Sequence, residues 1–361
     1  MKYAYWLSNI EGMTPAKIRL LRSKVQEAEE LYNLSESSLS KIEGIPKELV
    51  TMVIESKKRW NLEKEWFTLM AKGIGMVSME QDDYPYKLRN IQNPPYVLYY
   101  IGQLPCERKK SVAIVGARGR SAYGAQMAHL LAKELSNHGV QVISGLAKGI
   151  DGDAHRGALD GCCGTFAVLG CGIDICYPKE HHYLYEEIVE KGGIISEYAP
   201  GKPPNSINFP QRNRIIAGLS DCVVVMEAKE KSGSLITADF AIEQGKDVFA
   251  LPGRITDPLS KGCNCLIKQG AGIIQSVEDF LKDLDIISEK IYIQQDFLKK
   301  LLEKDEALVY SLTDFEPINL GTLIEKTNIS LYRIIEIISR LKELGLIKEV
   351  VPNYYVKAIG S

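Results

Sequence analysis

Two arginines sit inside a glycine-rich turn, Val115-Gly116-Ala117-Arg118-Gly119-Arg120-Ser121-Ala122-Tyr123-Gly124, that follows the apolar run Val112–Val115. Glycine lets a backbone approach an anion closely, and a helix opening behind it supplies free N–H groups and partial positive charge. Arginine adds a planar fork that meets phosphate oxygens in pairs. A second turn, Ser144-Gly145-Leu146-Ala147-Lys148-Gly149-Ile150-Asp151, sets Lys148 among glycines, and Asp151 reads as the N-cap of the next helix. A third stretch, Asn208 to Gly218, carries Arg212 and Arg214 around Asn213, with no acidic residue from Lys202 to Ser220. It reads as an exposed Arg-Asn-Arg ahead of an apolar helix. The fourth, Lys231-Ser232-Gly233-Ser234, forms a small anion nest at a helix start. The candidate contacts are therefore Gly116, Arg118, Ser144, Gly145, Lys148, Arg212, Asn213, Arg214, Gly233 and Ser234.

The chemistry these loops suit is holding phosphate, not breaking it. The first turn is neither GxGxxG nor GxxxxGK[ST], and no acidic ribose ligand ends the second strand, where Ile143-Ser144 stand. GxSxG and HExxH are absent, and no catalytic residue is assigned. Cys171, Cys176, His181 and His182 could be drawn as zinc ligands, but Gly172 and Pro178 lie among them and no CxxC organises them. The 8 cysteines read as small buried hydrophobes, so no metal and no cofactor are expected.

The loops need elements to hold them. Val112–Val115, Val140–Ser144, Phe166–Leu169, Ile194–Ser196, Cys222–Met226 and Val248–Leu251 are short apolar, β-branched runs. Amphipathic stretches such as Gly124–Asn137 and Leu235–Gln244 separate them. That alternation describes an α/β, Rossmann-like, doubly wound and mostly parallel sheet over residues 67–285. Ligands in such sheets sit beyond the carboxyl ends of the strands.

Residues 1–66 read as all-helical and contain an echo, Ser8-Asn9-Ile10-Glu11-Gly12-Met13 and Ser40-Lys41-Ile42-Glu43-Gly44-Ile45. Each copy precedes a helical stretch, as in a helix-hairpin-helix or SAM-like domain. Thr14 and Pro46 stand near the places of a second glycine, so a structural role competes with a phosphate-binding one. A charged linker over 286–304 leads to a winged-helix domain at 305–361, with helices Glu306–Leu312, Leu320–Thr327 and Leu331–Leu344 and a hairpin of Leu346–Val351 and Tyr354–Val356. Its recognition-like helix mixes Arg333, Arg340 and Lys342 with Glu336 and Glu343, which favours protein contact or packing over DNA.

The 361 residues fit two or three domains. Lys+Arg of 44 against Asp+Glu of 46 gives a net charge of -2, which excludes a histone-like positive coat but not a local basic groove. The opening MKYAYWLSNIEG lacks a signal-peptide run, and no later stretch approaches the roughly 18 uncharged residues of a spanning helix. A cytoplasmic chain without a membrane partner is expected.

VAIVGAR at Val112–Arg118, SGLAKGID at Ser144–Asp151, VLGCGID at Val168–Asp174, FPQRNRIIAGLS at Phe209–Ser220, SGSLITA at Ser232–Ala238 and LPGRITDPLSKGCN at Leu251–Asn264 resemble the DNA-processing protein A (DprA/Smf) family. The YPYKL and NPPYVLYYIG stretches, Tyr84–Leu88 and Asn93–Gly102, resemble its lead-in to the Rossmann domain. The resemblance implies a bacterial protein of natural transformation that binds incoming single-stranded DNA, protects it, forms homodimers and loads a RecA-type recombinase while displacing single-strand-binding protein. It places DNA-contacting basic residues on Arg118, Lys148 and Arg212, with Arg214 beside them. Ile215 falls where some members carry a base-stacking aromatic. Two alternatives remain. One is a phosphoribohydrolase-like nucleotide-processing enzyme, whose acidic residues would be displaced here to Asp239 and Glu243; the other is a transcription factor led by its winged helix.

Overall fold

The computed structural model describes residues 1–286, 302–314 and 317–358. They divide into two compact units, Met1–Leu284 and Asp285–Ser361. Most of the expected linker, residues 287–301, lies outside the described residues. No helix among the described residues is long and apolar enough to cross a membrane.

The first unit is built on a nine-stranded sheet of β1 (Gly75–Ser78), β2 (Val97–Gly102), β3 (Ser111–Val115), β4 (Gln141–Ser144), β5 (Thr165–Leu169), β6 (Gly193–Ser196), β7 (Cys222–Val225), β8 (Asp247–Ala250) and β9 (Gly272–Ile273). Their spatial order is β1-β2-β6-β5-β4-β3-β7-β8-β9. The strands from β6 across to β9 run parallel, while β1 and β2 pair antiparallel at one edge. Every residue of β3, β4, β5, β6 and β7 is buried, because helices cover both faces. That burial is why these runs are continuously apolar instead of alternating. The chain builds outward from β3 to β6, then returns to lay β7 on the other side of β3. The crevice at such a reversal is where an open α/β sheet takes its ligand.

The six N-terminal helices pack onto the antiparallel edge and share one core with it. Trp6, Leu7, Leu21, Leu31 and Val53 belong to the same buried cluster as Ile74, Tyr99 and Ile194. Asn9 Nδ2 donates to the Tyr99 hydroxyl at 2.7 Å, and the Tyr5 and Tyr99 rings meet edge to face at 6.1 Å. The helix Leu62–Ala71 runs across residues 66 and 67, where a domain junction was expected. Gly12 and Gly44, the glycines of the echo, both take left-handed backbone, at φ 75 and 87. Thr14, in the place of a second glycine, caps the helix Pro15–Lys24 by accepting from Lys17 N.

In the second unit the helices Lys304–Leu312, Leu320–Thr327 and Leu331–Glu343 enclose a core of Val309, Leu323, Ile334, Ile337, Leu341 and Tyr355. The hairpin of Ile347–Val351 and Tyr354–Lys357 gains a third short strand, Ile318–Asn319. The helix Leu331–Glu343 has each of its basic residues beside a carboxylate: Arg333 with Glu303 and Glu336, Arg340 with Glu306, Lys342 with Glu349. Its exposed face carries Leu331, Tyr332 and Ile335.

One buried group ties this fold to pH. His155, on the helix Ile150–Leu159, is fully buried, and its Nδ1 lies 2.8 Å from Thr165 Oγ1. The Thr165 hydroxyl donates to Val142 O, so Nδ1 carries the imidazole proton and Nε2 stands without a partner. Burial, then the nearby His181, Arg212 and Arg156, push this imidazole down to about 3. The unfolded chain takes up the proton near pH 6.5 and the folded chain does not, so stability is complete above that pH and falls as pH drops toward 3. Urea unfolding of the first unit should show a loss of up to about 1.4 kcal/mol per pH unit in that window. His155→Gln, which cannot titrate, should flatten it; an unchanged slope would contradict the assignment.

Candidate nucleic-acid interface

Three of the four loops converge with one helix start around a cavity of about 570 Å³ at the carboxyl ends of the central strands. Its wall includes Gly116 and Arg118 after β3, Ala147 and Asp151 after β4, Ser232–Ser234 after β7, and Phe209, Arg212 and Asn213 from the helix Asn208–Leu219. A small annex of about 70 Å³ adds Gly145 and Lys148.

The Arg118 turn is held from both sides. A Cβ on Gly116 would lie 2.6 Å from Ile150, so only glycine permits the close packing of the first two loops. Ser121 caps the helix Ala122–Asn137 by accepting from Gly124 N, and the buried Glu227, beyond β7, accepts from Ser121 N at 2.9 Å and from its hydroxyl. Gly149 has φ 81, and a Cβ there would meet Ala117 O at 2.3 Å. The two turns are thus interlocked at their backbones.

Arg118 is exposed, and no carboxylate among the described residues pairs with it; its guanidinium stands 5.7 Å from the centre of the Phe209 ring. Arg120 is instead tied to Asp153. Lys148 Nζ lies 2.6 Å from Glu180 Oε1, with both side chains more than half exposed. Exposed pairs contribute about 0–1 kcal/mol, so Lys148 can turn to a phosphate at little cost.

The helix begins at Asn208, not after Arg214, and this corrects the reading of an exposed Arg-Asn-Arg. Residues two apart on a helix point about 200° apart. Arg212 therefore turns into the cavity floor and Arg214 turns away from it. Arg212 is 5% exposed and donates through Nη1 to Gly145 O at 2.8 Å and to Val168 O. Its guanidinium lies where a Cβ on Gly145 would be, 2.6 Å from Nη2. Arg214 is 7% exposed and donates to Glu197 Oε1 at 2.7 Å and Asn93 O at 2.9 Å, outside the cavity. Ser144 is also interior: its hydroxyl donates to Ile114 O at 2.6 Å, and its side chain is fully buried.

Asp151 is not an N-cap. Gly149 holds that position, and the Asp151 carboxylate accepts from Gly145 N and Ala147 N, 3.2 and 3.4 Å away. Burial pushes this carboxyl up, opposed by Arg212, the two amides and Arg118; burial likewise lowers Arg212, opposed by Asp151. Asn213 Nδ2 donates to Gly233 O at 3.2 Å, linking the helix to the serine turn. Ser232 caps the helix Gly233–Glu243 by accepting from Ser234 N. Gly233 has open space where a Cβ would stand, so nothing steric demands glycine there.

Sequence reasoning missed the aromatic wall. Tyr177 and Phe209 stack with ring centres 5.4 Å apart and planes inclined by 27°, and both line the cavity. The readable signal is an aromatic before proline in each segment, Tyr177-Pro178 and Phe209-Pro210. Ile215 is fully buried in the core and offers no stacking surface. The four drawn zinc ligands are otherwise engaged: Cys171 Sγ reaches Ile175 O, Cys176 Sγ reaches Pro178 O, His181 Nδ1 reaches Leu146 O, and His182 Nε2 lies 3.4 Å from Glu186 Oε1. No group of three or more potential metal ligands occurs among the described residues.

Residues 75–285 match the family described as DNA recombination-mediator protein A. Protein Smf of Synechocystis is 36% identical over 313 residues, covering 85% of this chain and 78% of that protein. DNA processing protein DprA of Streptococcus pneumoniae is 45% identical over 208 residues, 58% of this chain and 73% of that one. A crystal structure of the pneumococcal protein superposes with a TM-score of 0.69 at 36% identity, over 78% of this chain and 97% of that one. A structure of DNA processing protein A from Helicobacter pylori, determined to explain its single-stranded DNA binding mode, gives 0.54 at 32% identity, over 58% of this chain and 95% of that one.

The two cavity arginines should separate by stability. Arg212→Ala leaves the Gly145 and Val168 carbonyls without their charged donor and should cost about 2–5 kcal/mol in denaturant unfolding. Arg118→Ala removes an exposed side chain and should stay within about 0.5 kcal/mol of the parent. Equal losses in both variants would contradict the assignment of Arg212 as a buried strut.

Proposed function

Because the chain belongs to the DNA recombination-mediator protein A family, we propose that it is a single-stranded DNA-binding protein whose central sheet holds the phosphates at Arg118, Lys148 and Arg212. The observation that carries this reading is an exposed arginine, paired with no carboxylate among the described residues, beside a stacked Tyr177–Phe209 pair at the mouth of the crevice. Phosphate and base need those two chemistries side by side. Gly116, Gly145, Asn213, Gly233 and Ser234 supply backbone and side-chain polar groups around them. Arg214 and Ser144 act by holding the walls.

On this reading the protein protects incoming DNA during natural transformation, works in the cytoplasm, acts as a homodimer and passes its strand to a RecA-type recombinase as single-strand-binding protein is displaced. Two linked grooves on one strand raise effective concentration without new contacts. Residues 1–66, 67–285 and 305–361 act as helical module, DNA-binding core and winged-helix domain. The winged helix contacts protein, since each base on its helix Leu331–Glu343 sits beside an acid.

The protein acts without catalytic turnover. Asp151 is committed to two backbone amides, and Asp239 and Glu243 are exposed outside the cavity wall, unlike the acid a phosphoribohydrolase would need there. Release of free base from nucleoside monophosphates, abolished by a cavity substitution, would instead establish the enzyme.

Binding should weaken with salt by about 0.7 in log–log slope for each phosphate neutralised on a single strand. The Arg118→Ala, Lys148→Ala double variant should bind oligothymidylate more weakly at every salt concentration, with a slope shallower by roughly 1.4. Phe209→Ala should lose about 1–3 kcal/mol of affinity with the slope unchanged. A folded double variant with parental affinity and slope would remove the cavity as the DNA site.

A further inference from the structure

On the other face of the helix Asn208–Leu219 lies a second, larger cavity of about 940 Å³. The helix presents Phe209, Arg212 and Asn213 to the first cavity and Asn208, Gln211 and Arg214 to the second. The turn Ser8–Pro15 and the loop Glu197–Pro203 close its sides, with Tyr96 and Tyr99 between them.

Its chemistry differs from that of the first. Arg214 is paired with Glu197, Lys202 Nζ lies 5.4 Å from the centre of the Tyr198 ring, and Glu11 balances Lys202 in charge, so the lining is close to neutral. Carboxamides and phenols supply most of its uncharged polar side chains, set among apolar ones such as Ile10, Met13 and Phe240. Asn9 is committed to Tyr99, and Asn93 Oδ1 to Arg19. The Tyr198 hydroxyl and Asn208 Nδ2, however, are buried polar atoms without a partner. Both lie just beneath the cavity wall, and buried donors and acceptors in folded proteins are almost always matched, so a turn of either side chain toward the cavity offers an entering group a free partner. A neutral, planar group with a donor and acceptor edge fits aromatic and carboxamide walls: carboxamides meet base edges in pairs, and phenol rings stack on base faces.

The two cavities also share a border. Gly201–Ser206 is exposed throughout; Lys202 and Pro203 line the second cavity, and Pro204 and Ser206 the first. Adjacent prolines keep such a crest extended and stiff. A strand leaving Arg118 has this crest as its crossing.

We propose that a base of the same single strand, beyond the phosphates held at Arg118, enters this second cavity and is met by Tyr198, Asn208 and Gln211. This rests on the single-stranded DNA reading above and adds a base subsite that includes the N-terminal helical module.

The test uses the full chain with oligothymidylates of about four and about twelve nucleotides. The Tyr198→Phe, Gln211→Ala double variant removes one hydroxyl and one exposed carboxamide. It should bind the short oligonucleotide like the parent, which also reports its folding, and should bind the long one about five- to tenfold more weakly at unchanged salt slope. An abasic site scanned along the long oligonucleotide should cost the parent the same factor at one position and the variant nothing there. Parental affinity of the variant for the long oligonucleotide, or an equal abasic cost in both proteins, overturns the second subsite alone. If the Arg118→Ala, Lys148→Ala protein binds both lengths normally, the phosphate reading falls and the subsite falls with it.

Discussion

A buried guanidinium holds the centre of this molecule together. Arg212 reaches from the helix Asn208–Leu219 to Gly145 O in the loop after β4 and to Val168 O in β5. Taking a cation out of water is costly unless its protons find acceptors. Here two carbonyls and the side-chain oxygen of Asn213 accept from it, and the Asp151 carboxylate nearby favours its charge. Asp151 in turn accepts the amides of Gly145 and Ala147, so the same loop is gripped through its C=O and its N–H groups. A flexible glycine turn becomes a fixed floor. The Arg118 turn rests on that floor through Gly116 and Gly149, whose missing side chains allow the backbones to meet.

From that rigidity follows a division among the basic residues. A chain with a net charge of -2 cannot attract a polyanion everywhere, so the local arrangement decides. Arg120, Arg214, Arg333, Arg340 and Lys342 each have a carboxylate beside them. Arg118 does not, among the described residues, and Lys148 has only a pair in solvent. Arg118 and Lys148 thus keep positive charge available at the crevice where the strand order reverses. Tyr177 and Phe209 stand beside it, and the Arg118–Phe209 contact orients the guanidinium at a gain of about 0.5–1 kcal/mol.

How much of this the sequence reveals depends on which residues one asks about. The parallel sheet is legible because strands buried on both faces must be continuously apolar, as Val112–Val115 and Cys222–Val225 are. Gly116 and Arg118 are legible because glycine after a strand has few other uses. Arg212 and Arg214 are not separable without the helix start: placed in a loop they look alike, while one turn of helix sends them to opposite sides. Ser144 fails for a related reason, since its position at a strand end says nothing of whether its hydroxyl faces out or back to Ile114 O. The aromatic wall is invisible because Tyr177, in a loop, and Phe209, in the first turn of a helix, are 32 residues apart in number and meet only after β5 and the helix are in place. The echo around Gly12 and Gly44 announces two turns, but not that the helices behind them share their core with β2.

Hydrogen exchange of the full chain, with and without saturating oligothymidylate, tests the central claim most directly, because it reads the loops without altering them. Binding at the crevice should slow exchange of the amides from Gly116 to Arg120, from Ala147 to Gly149 and from Ser232 to Ser234, leaving the helix Leu331–Glu343 unaffected. Slowed exchange confined to the Leu331–Glu343 helix and its hairpin, with the three loops unchanged, would contradict the account.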